Sequence, residues 1–316
     1  MKKGIISLGE ALIDFIPLDE TNLVYQKSPG GAPANVAVGL ARLGAKSTFL
    51  GKVGDDVLGR FLKETLQNYG VNVSSMLLTK EVRTGAVFVT LSANGERSFD
   101  FYIDPSADRF LEEDEVKEEL FTEHKILHFG SISLISEPSK SATKKAVRLA
   151  KQNDMIVSYD PNLRLSLWKN EEEARNTIVS MLKEVDVLKI SDEELEFLTK
   201  TTNLEEGVAS LQEYDIPLII VTLGAEGSIL FTKSEPVQVP AIKVKAVDTT
   251  GAGDAYVSGI LYCLDQYEGD IRSISVERLE YMARFASVSG GLAASVKGAM
   301  SALPSFKQVE EKLAEN

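Results

Sequence analysis

The chain has 316 residues, of which 44% are hydrophobic and 26% charged, and its formal net charge is −13. That is an ordinary globular composition, long enough to bury a large core in one or two domains. The acid excess argues against nucleic-acid or anionic-membrane binding, which need a basic face, so an anionic substrate must be met by a helix N-terminus, a few Lys and Arg, or a bound cation.

A single cysteine, Cys263, excludes an internal disulfide and lies in an apolar helical run, where packing outweighs reactivity. Two histidines, His124 and His128, make no zinc cluster. The apolar run after Gly4 is broken by Glu10 and Asp14 and is too short for a signal peptide or a span. The default compartment is the cytoplasm.

In chain order, Ile5 to Gly9 reads as a first buried strand. Asp14 follows in an alternating stretch, and local grounds favour a solvent-facing structural residue there. Ser28 to Asn35 is a glycine-rich turn leading into a small-residue helix that stops at Gly44. Gly30 and Gly31 at that helix start allow close backbone approach to a ligand, and Asn35 can bond a ligand hydroxyl or the local backbone. A strand over Ser47 to Leu50 and a helix over Val57 to Tyr69 come next. Thr84 to Ala93 alternates, then Asn94-Gly95 precedes Arg97 to Tyr102, which is a hairpin signal. With the segment near Phe15 to Val24 this predicts a small sheet, roughly residues 12–28 and 84–104. Its uses are a water-excluding lid, a decoration or a dimer contact, and lid and dimer contact are compatible.

From Lys125 the pattern is regular. Strands are predicted at Ile126–Phe129, Met155–Tyr159, Val185–Ile190 and Leu218–Thr222. Helices are predicted at Lys140–Lys151, Glu171–Lys183, Asp192–Thr199 and Leu204–Glu213. Such alternation implies a parallel sheet covered on both faces, with ligands beyond the carboxyl ends of its strands. Polar runs sit at those ends: Asp160 to Arg164, Ser191 to Glu194, Thr222 to Gly227 and Asp248 to Asp254.

The last run is the most suggestive. Ile242 to Val247 reads as a strand, Ala255 to Leu264 as a buried helix, and Gly251, Ala252, Gly253 and Asp254 form the turn between them. Glycines and a helix start favour a bound phosphate, and Asp254 can act as a base beside it. The alternative, a plain turn with Asp254 complementing the helix dipole, stays open on local evidence. A dinucleotide fingerprint fails because Tyr256 stands where the third glycine belongs, and a P-loop fails because Ala45 stands at the lysine position.

Together these runs resemble the PfkB (ribokinase-like) family of carbohydrate kinases over nearly the whole chain. Gly30 through Gly44 is similar to one family signature, Asp248 to Asp254 to the other, and Gly9 to Phe15 to its first strand and substrate aspartate. Gly51 to Asp56, Phe101 through Asp108, Gly130 to Leu134 and Tyr159 to Arg164 are most similar to fructokinases. The resemblance implies one three-layer αβα domain over 1–316 with a mostly parallel central sheet and a small β lid. It implies transfer of the γ-phosphate of ATP to the primary hydroxyl of fructose. Another sugar such as ribose, a nucleoside or 2-keto-3-deoxygluconate is the alternative, and Ile103, where an arginine would reach an anionic group, weakens the acidic sugar.

By the same resemblance, Asp254 is the base and the N–H groups of Gly251, Ala252, Gly253 and Asp254 form an anion hole. Asp14, Gly30, Gly31 and Asn35 hold the sugar, Phe99 and Tyr102 cover it, and Arg164 meets phosphate or substrate charge. Lys189, Ser191, Glu194, Thr222, Gly224, Gly227, Gly298 and Ala299 belong to the nucleotide side. Mg²⁺ bridges the ATP phosphates, and K⁺ sits near Asp248, Thr250, Ala293, Val296, Gly298 and Ala302. Two other classes are a non-catalytic sensor, opposed by the intact Asp254, and an NAD-linked oxidoreductase, opposed by Tyr256.

Overall fold

The computed structural model describes residues 2–91 and 97–315, so the Asn94-Gly95 turn lies outside the described residues. In chain order the first half contains β1 (Ile5–Leu8), β2 (Leu12–Pro17), β3 (Tyr25–Gly30), α1 (Ala32–Arg42), β4 (Ser47–Gly54), α2 (Val57–Asn68), β5 (Met76–Thr79), β6 (Gly85–Leu91), β7 (Arg97–Phe101) and the short α3 (Glu119–Thr122). The second half contains β8 (Ile126–Phe129), α4 (Ser139–Gln152), β9 (Ile156–Tyr159), α5 (Glu171–Ser180), β10 (Val187–Ser191), α6 (Asp192–Thr199), α7 (Leu204–Ser210), β11 (Leu218–Thr222), β12 (Ser228–Phe231), β13 (Val237–Val239), α8 (Ala252–Gln266), α9 (Val276–Ala294) and α10 (Phe306–Ala314).

The nine-stranded sheet runs β13-β12-β11-β10-β9-β8-β1-β4-β5. Every pairing from β11 to β5 is parallel, and β12 and β13 add an antiparallel edge. The parallel strands read as continuous apolar runs because both faces are covered. Ile6, Leu8, Leu127, Phe129, Leu188 and Ile190 point into one core with α4 to α7. Ile5, Ile126, Val187, Leu218 and Ile220 point into the other, with α1, α8, α9 and α10. β1 pairs with β4 on one side and β8 on the other, so the strand order reverses there. A cleft at the carboxyl end of β1 follows from that reversal.

The second sheet has the order β3-β2-β6-β7. β2 pairs antiparallel with β3 and parallel with β6, and β6 pairs antiparallel with β7 across the register Leu91↔Arg97 to Val87↔Phe101.

Three expectations differ from the structure. Ile242 to Val247 is not a strand. Its alternation is real, since a Cβ at Gly291 of α9 would touch Ile242 and Val244. The segment lies against that helix and pairs with no strand among the described residues. Gly30 is the last residue of β3 and not part of the helix, which starts one turn earlier than read, with Gly31 at its N-cap and proline in the first turn. The 19-residue α9 lacked a predicted counterpart, because Ala, Ser and Gly fill the face it packs on α8. A Cβ at Gly259 would come within 2.7 Å of the Ala286 backbone.

Candidate functional site

A cleft of about 450 Å³ opens between the carboxyl ends of the large sheet and the small sheet. Its floor carries Glu10, Asp160, Asn162, Arg164 and Lys189, and one wall carries Gly31, Ala32 and Asn35. Thr249, Thr250, Gly251, Gly253 and Asp254 form the end wall. Leu12 and Asp14 of β2, Val87 of β6, and Phe99 and Phe101 of β7 form the roof.

The strand period decides the roof. Asp14, Val87 and Phe101 are register partners, so their side chains share one face, and that face meets the cleft. Phe15 and Phe88 form the next row and turn away, stacked with ring centroids 4.9 Å apart. Tyr102 packs edge-on against Phe88 at 5.5 Å and is 70% exposed. The expected cover of Phe99 and Tyr102 is thus corrected: Phe99 and Phe101 face the cleft, and Tyr102 lies on the opposite face.

The end wall is built by one glycine conformation. Gly251 has φ +77, in the left-handed region that only glycine enters without strain, and it serves as the N-cap of α8 without a side-chain cap. Helix geometry leaves the N–H groups of Gly253 and Asp254 with no intrahelical acceptor. Ala252 is different: its N–H donates to the Thr249 carbonyl at 3.1 Å, so the expected four-residue anion hole has one member engaged within the turn. Lys189 stands beside this wall, since a Cβ at Gly253 would lie 3.8 Å from its Nζ. Its ammonium pairs with Asp160 at 3.1 Å. Burial works against that charge, but Asp160 and Glu194 outweigh it and hold Lys189 above its ordinary value.

Asp254 projects from the first turn of α8 and accepts a hydrogen bond from Nδ2 of Asn35 at 2.8 Å. Burial, aided by Asp160 and opposed by the Asn35 bond, raises its pKa to about 6. Burial also raises Asp14 to about 7, against the pull of Arg164. Glu10 rises to about 8, through burial first and then Asp108 and Asp254. The Oδ1 of Asn35 is buried without a partner at the same wall. This end is therefore rich in carboxyl groups and suits a neutral polyhydroxyl ligand.

Asp14 is fixed by close packing. A Cβ at Gly30 would collide with its carboxylate, and one at Gly31 would collide with the Glu10 backbone. If Asp14 holds a sugar, as the resemblance implies, Gly30→Ala is expected to displace it and raise the KM for that sugar about tenfold or more, since misplacements of an ångström cost that much. Steady-state kinetics at saturating ATP check this, and an unchanged sugar KM would remove Asp14 from sugar binding.

The remaining predicted residues lie along neighbouring strand ends. Ser191 and Glu194 form a capping box at α6, with Glu194 also accepting from the N–H of Leu163 at 2.8 Å. Ser191 pairs in register with Thr222, whose hydroxyl donates to the Ile190 carbonyl. Gly224 and Gly227 both have positive φ in the turn after β11. These residues do not line the cleft itself but continue its edge beyond Lys189. Gly298 donates its N–H to Asp248 at 3.1 Å, and Ala299 packs on Gly251. Asp248 also accepts from the N–H of Thr250, so its buried carboxylate ties the two loops together. Ala293 is the penultimate residue of α9, Val296 lies just past the helix, and Ala302 ends the short helical turn beyond. Asp248 is the only one of the six expected K⁺ residues with a carboxylate, and the Ala293 carbonyl accepts the N–H of Val296 at 3.2 Å. Among the described residues, no group of three or more His, Cys, Asp or Glu is placed to hold a metal ion alone. A divalent ion would then need oxygen ligands from outside the chain, such as phosphates and water, and both oxygens of Glu194 already accept the N–H groups of Leu163 and Ser191.

Glu10, Asp160, Asn162 and Phe101 line the cleft without having been assigned roles. Phe101 was recoverable from its period-two spacing to Phe99. Glu10 carried a weaker signal, a carboxylate directly after a buried strand.

Residues 2–305 match the family described as pfkB family carbohydrate kinase. The chain belongs to that family. This carbohydrate kinase is 45% identical over 317 residues to "Probable fructokinase-6, chloroplastic" of Arabidopsis thaliana, covering 98% of this chain and 82% of that one. A double mutant of the fructokinase from Vibrio cholerae O395, in fructose-, ADP- and potassium-ion-bound form, superimposes with a TM-score of 0.89 at 38% identity, covering 98% of this chain and 99% of that one. The fructokinase from Xylella fastidiosa with bound ATP gives 0.92 at 32% identity, covering 100% and 99%. Among the described residues, no helix of the kinase is long and apolar enough to cross a membrane.

Proposed function

We propose that this kinase transfers the γ-phosphate of ATP to the primary hydroxyl of fructose, giving fructose 6-phosphate. The observation that carries the reading is the juxtaposition of Asp254, a carboxylate poised near neutrality, with the open N–H groups of Gly253 and Asp254 and the ammonium of Lys189. Asp254 takes the proton of the attacking hydroxyl, and Asn35 orients the carboxylate. The glycine turn, the positive end of α8 and Lys189 meet the charge of the transferring group. Phosphoryl transfer needs chiefly this positioning and neutralisation. Mg²⁺ would supply charge neutralisation on the triphosphate, and K⁺, if held by Asp248 and the residues around it, would add positive charge. The named fructokinase relatives support fructose as the acceptor, and the carboxyl-rich sugar end disfavours the acidic 2-keto-3-deoxygluconate.

The test is a coupled ADP-release assay over fructose, ribose, a nucleoside and 2-keto-3-deoxygluconate, with and without K⁺. Fructose is expected to be preferred, with higher activity in K⁺. Absence of turnover on every sugar would sink the kinase reading, and preference for ribose would change the acceptor.

The small sheet is read as a lid that excludes water and, through its outer face, as a homodimer contact in the cytoplasm. Phe15, Tyr25, Phe88 and Tyr102 cluster on that face. Tyr102→Asp is expected to convert a dimer to a monomer in sedimentation velocity, and an unchanged sedimentation coefficient overturns the contact.

A further inference from the structure

The mechanism above leaves the Glu10 carboxyl unused. Glu10 lies in the loop between β1 and β2, lines the cleft and is only 4% exposed. Its Oε1 accepts the N–H of Ala32 at 3.1 Å, in the first turn of α1. That bond, and the collision any side chain at Gly31 would make with the Glu10 backbone, fix where the side chain points. Its Oε2 is buried with no hydrogen-bond partner. A buried carboxyl oxygen left unpaired is destabilising unless something completes it. The only other cleft side chain with such an atom among the described residues is Asn35, on the neighbouring wall.

We propose that Glu10 is a further sugar-binding residue, whose Oε2 completes its hydrogen bonding on a secondary hydroxyl of the acceptor sugar and so helps select it. This rests on the sugar-kinase reading above and adds a contact to it. Asp254 from α8 and Asp108 from the turn after β7 are the charged groups that act on Glu10, and both are acids. With burial they favour the protonated carboxyl, which donates from Oε2 to a sugar oxygen. A neutral donor beside Asp14 and Asp254 also avoids placing a third full negative charge around the sugar. Simple capping of α1 uses Oε1 alone and leaves Oε2 without a role.

The test is a cycle between residue and ligand, read as dissociation constants by calorimetry without ATP. Fructose is compared with its 3-deoxy and 4-deoxy analogues on wild type, Glu10→Ala, Glu10→Met and Glu10→Gln, with the 1-deoxy analogue as a primary-hydroxyl control whose loss alone would count against the proposal. Wild type is expected to lose about tenfold in affinity for one analogue, because a site built to bond a hydroxyl rejects a ligand lacking it. In Glu10→Ala that loss should shrink to about twofold or less, while the losses at the other positions persist. Equal losses in wild type and Glu10→Ala at every position would overturn the proposal. If Glu10→Ala does not fold, Glu10→Met decides on the same criterion, since it fills the space but bonds no hydroxyl, whereas Glu10→Gln should keep the wild-type pattern because its amide N–H donates from the Oε2 position. Wild-type turnover of fructose is measured alongside. Its absence rejects the sugar reading and this contact together, whereas active wild type without coupling rejects the contact alone.

Discussion

Asp254→Asn is expected to lower kcat by about 100-fold or more, the usual scale for removing a positioned base, while ATP and fructose still bind. The amide fits the same space and can still meet Asn35, so the first turn of α8 and its open N–H groups should persist. What is lost is the only carboxylate placed in that turn. In wild type the same group sets the acid limb of the rate. Its pKa is raised to about 6, chiefly by burial, so the active, ionised form is present above that value and is lost as pH falls through it. Well below pH 6 the rate should drop about tenfold per pH unit, and this limb should vanish in the asparagine variant. Near-normal kcat in Asp254→Asn, or a wild-type acid limb that survives in it, would reject Asp254 as the base.

Lys189→Met should carry the second large effect. Its ammonium is the cation nearest Gly253 and pairs with Asp160 at 3.1 Å. Removing it takes positive charge from the transferring phosphoryl group, and kcat/KM for ATP is expected to fall by about 100-fold. It also leaves the buried Asp160 carboxylate without its partner, a loss of about 3–5 kcal/mol in comparable buried pairs. Melting temperature and kinetics together separate the two losses. Lys189→Arg retains the charge, so it should recover much of the stability and only part of the rate, because a planar guanidinium does not present a point charge to the turn. Full activity in a stable Lys189→Met protein would take Lys189 out of phosphoryl transfer.

The roof of the cleft shows how far local pattern reaches and where it stops. Asp14 looked like a solvent-facing residue of an alternating strand. The alternation was real, but its polar face turns toward the cleft, because β2 joins β6 and β7 in a sheet that bends over the carboxyl ends of the large one. Phe99 and Tyr102 are three residues apart, so a strand cannot present both on one face, and period two by itself points to Phe101. Ile242 to Val247 marks the opposite limit. Its alternation describes contact with α9, and nothing in six residues says whether the neighbour is a strand or a helix. α9 escaped notice because a helix buried against another through Gly and Ala has little apolar periodicity to display.

The sequence by itself determined the βα alternation, the parallel sheet and the strand-end runs that hold Asp160, Ser191, Thr222 and Asp254, because buried strands, caps and glycine turns are written in local residue types. It also carried the two glycine signatures by which the family is known. Only the tertiary structure decided which groups share the cleft and in what charge state. Glu10, Asp14, Asn35 and Asp254 come from three separate stretches of chain, and the raised pKa values of the three carboxyl groups arise from burial first and then from neighbouring acids. Burial and mutual repulsion depend on distances between residues far apart in sequence, and those distances exist only once β1, α1, α8 and the small sheet have packed together.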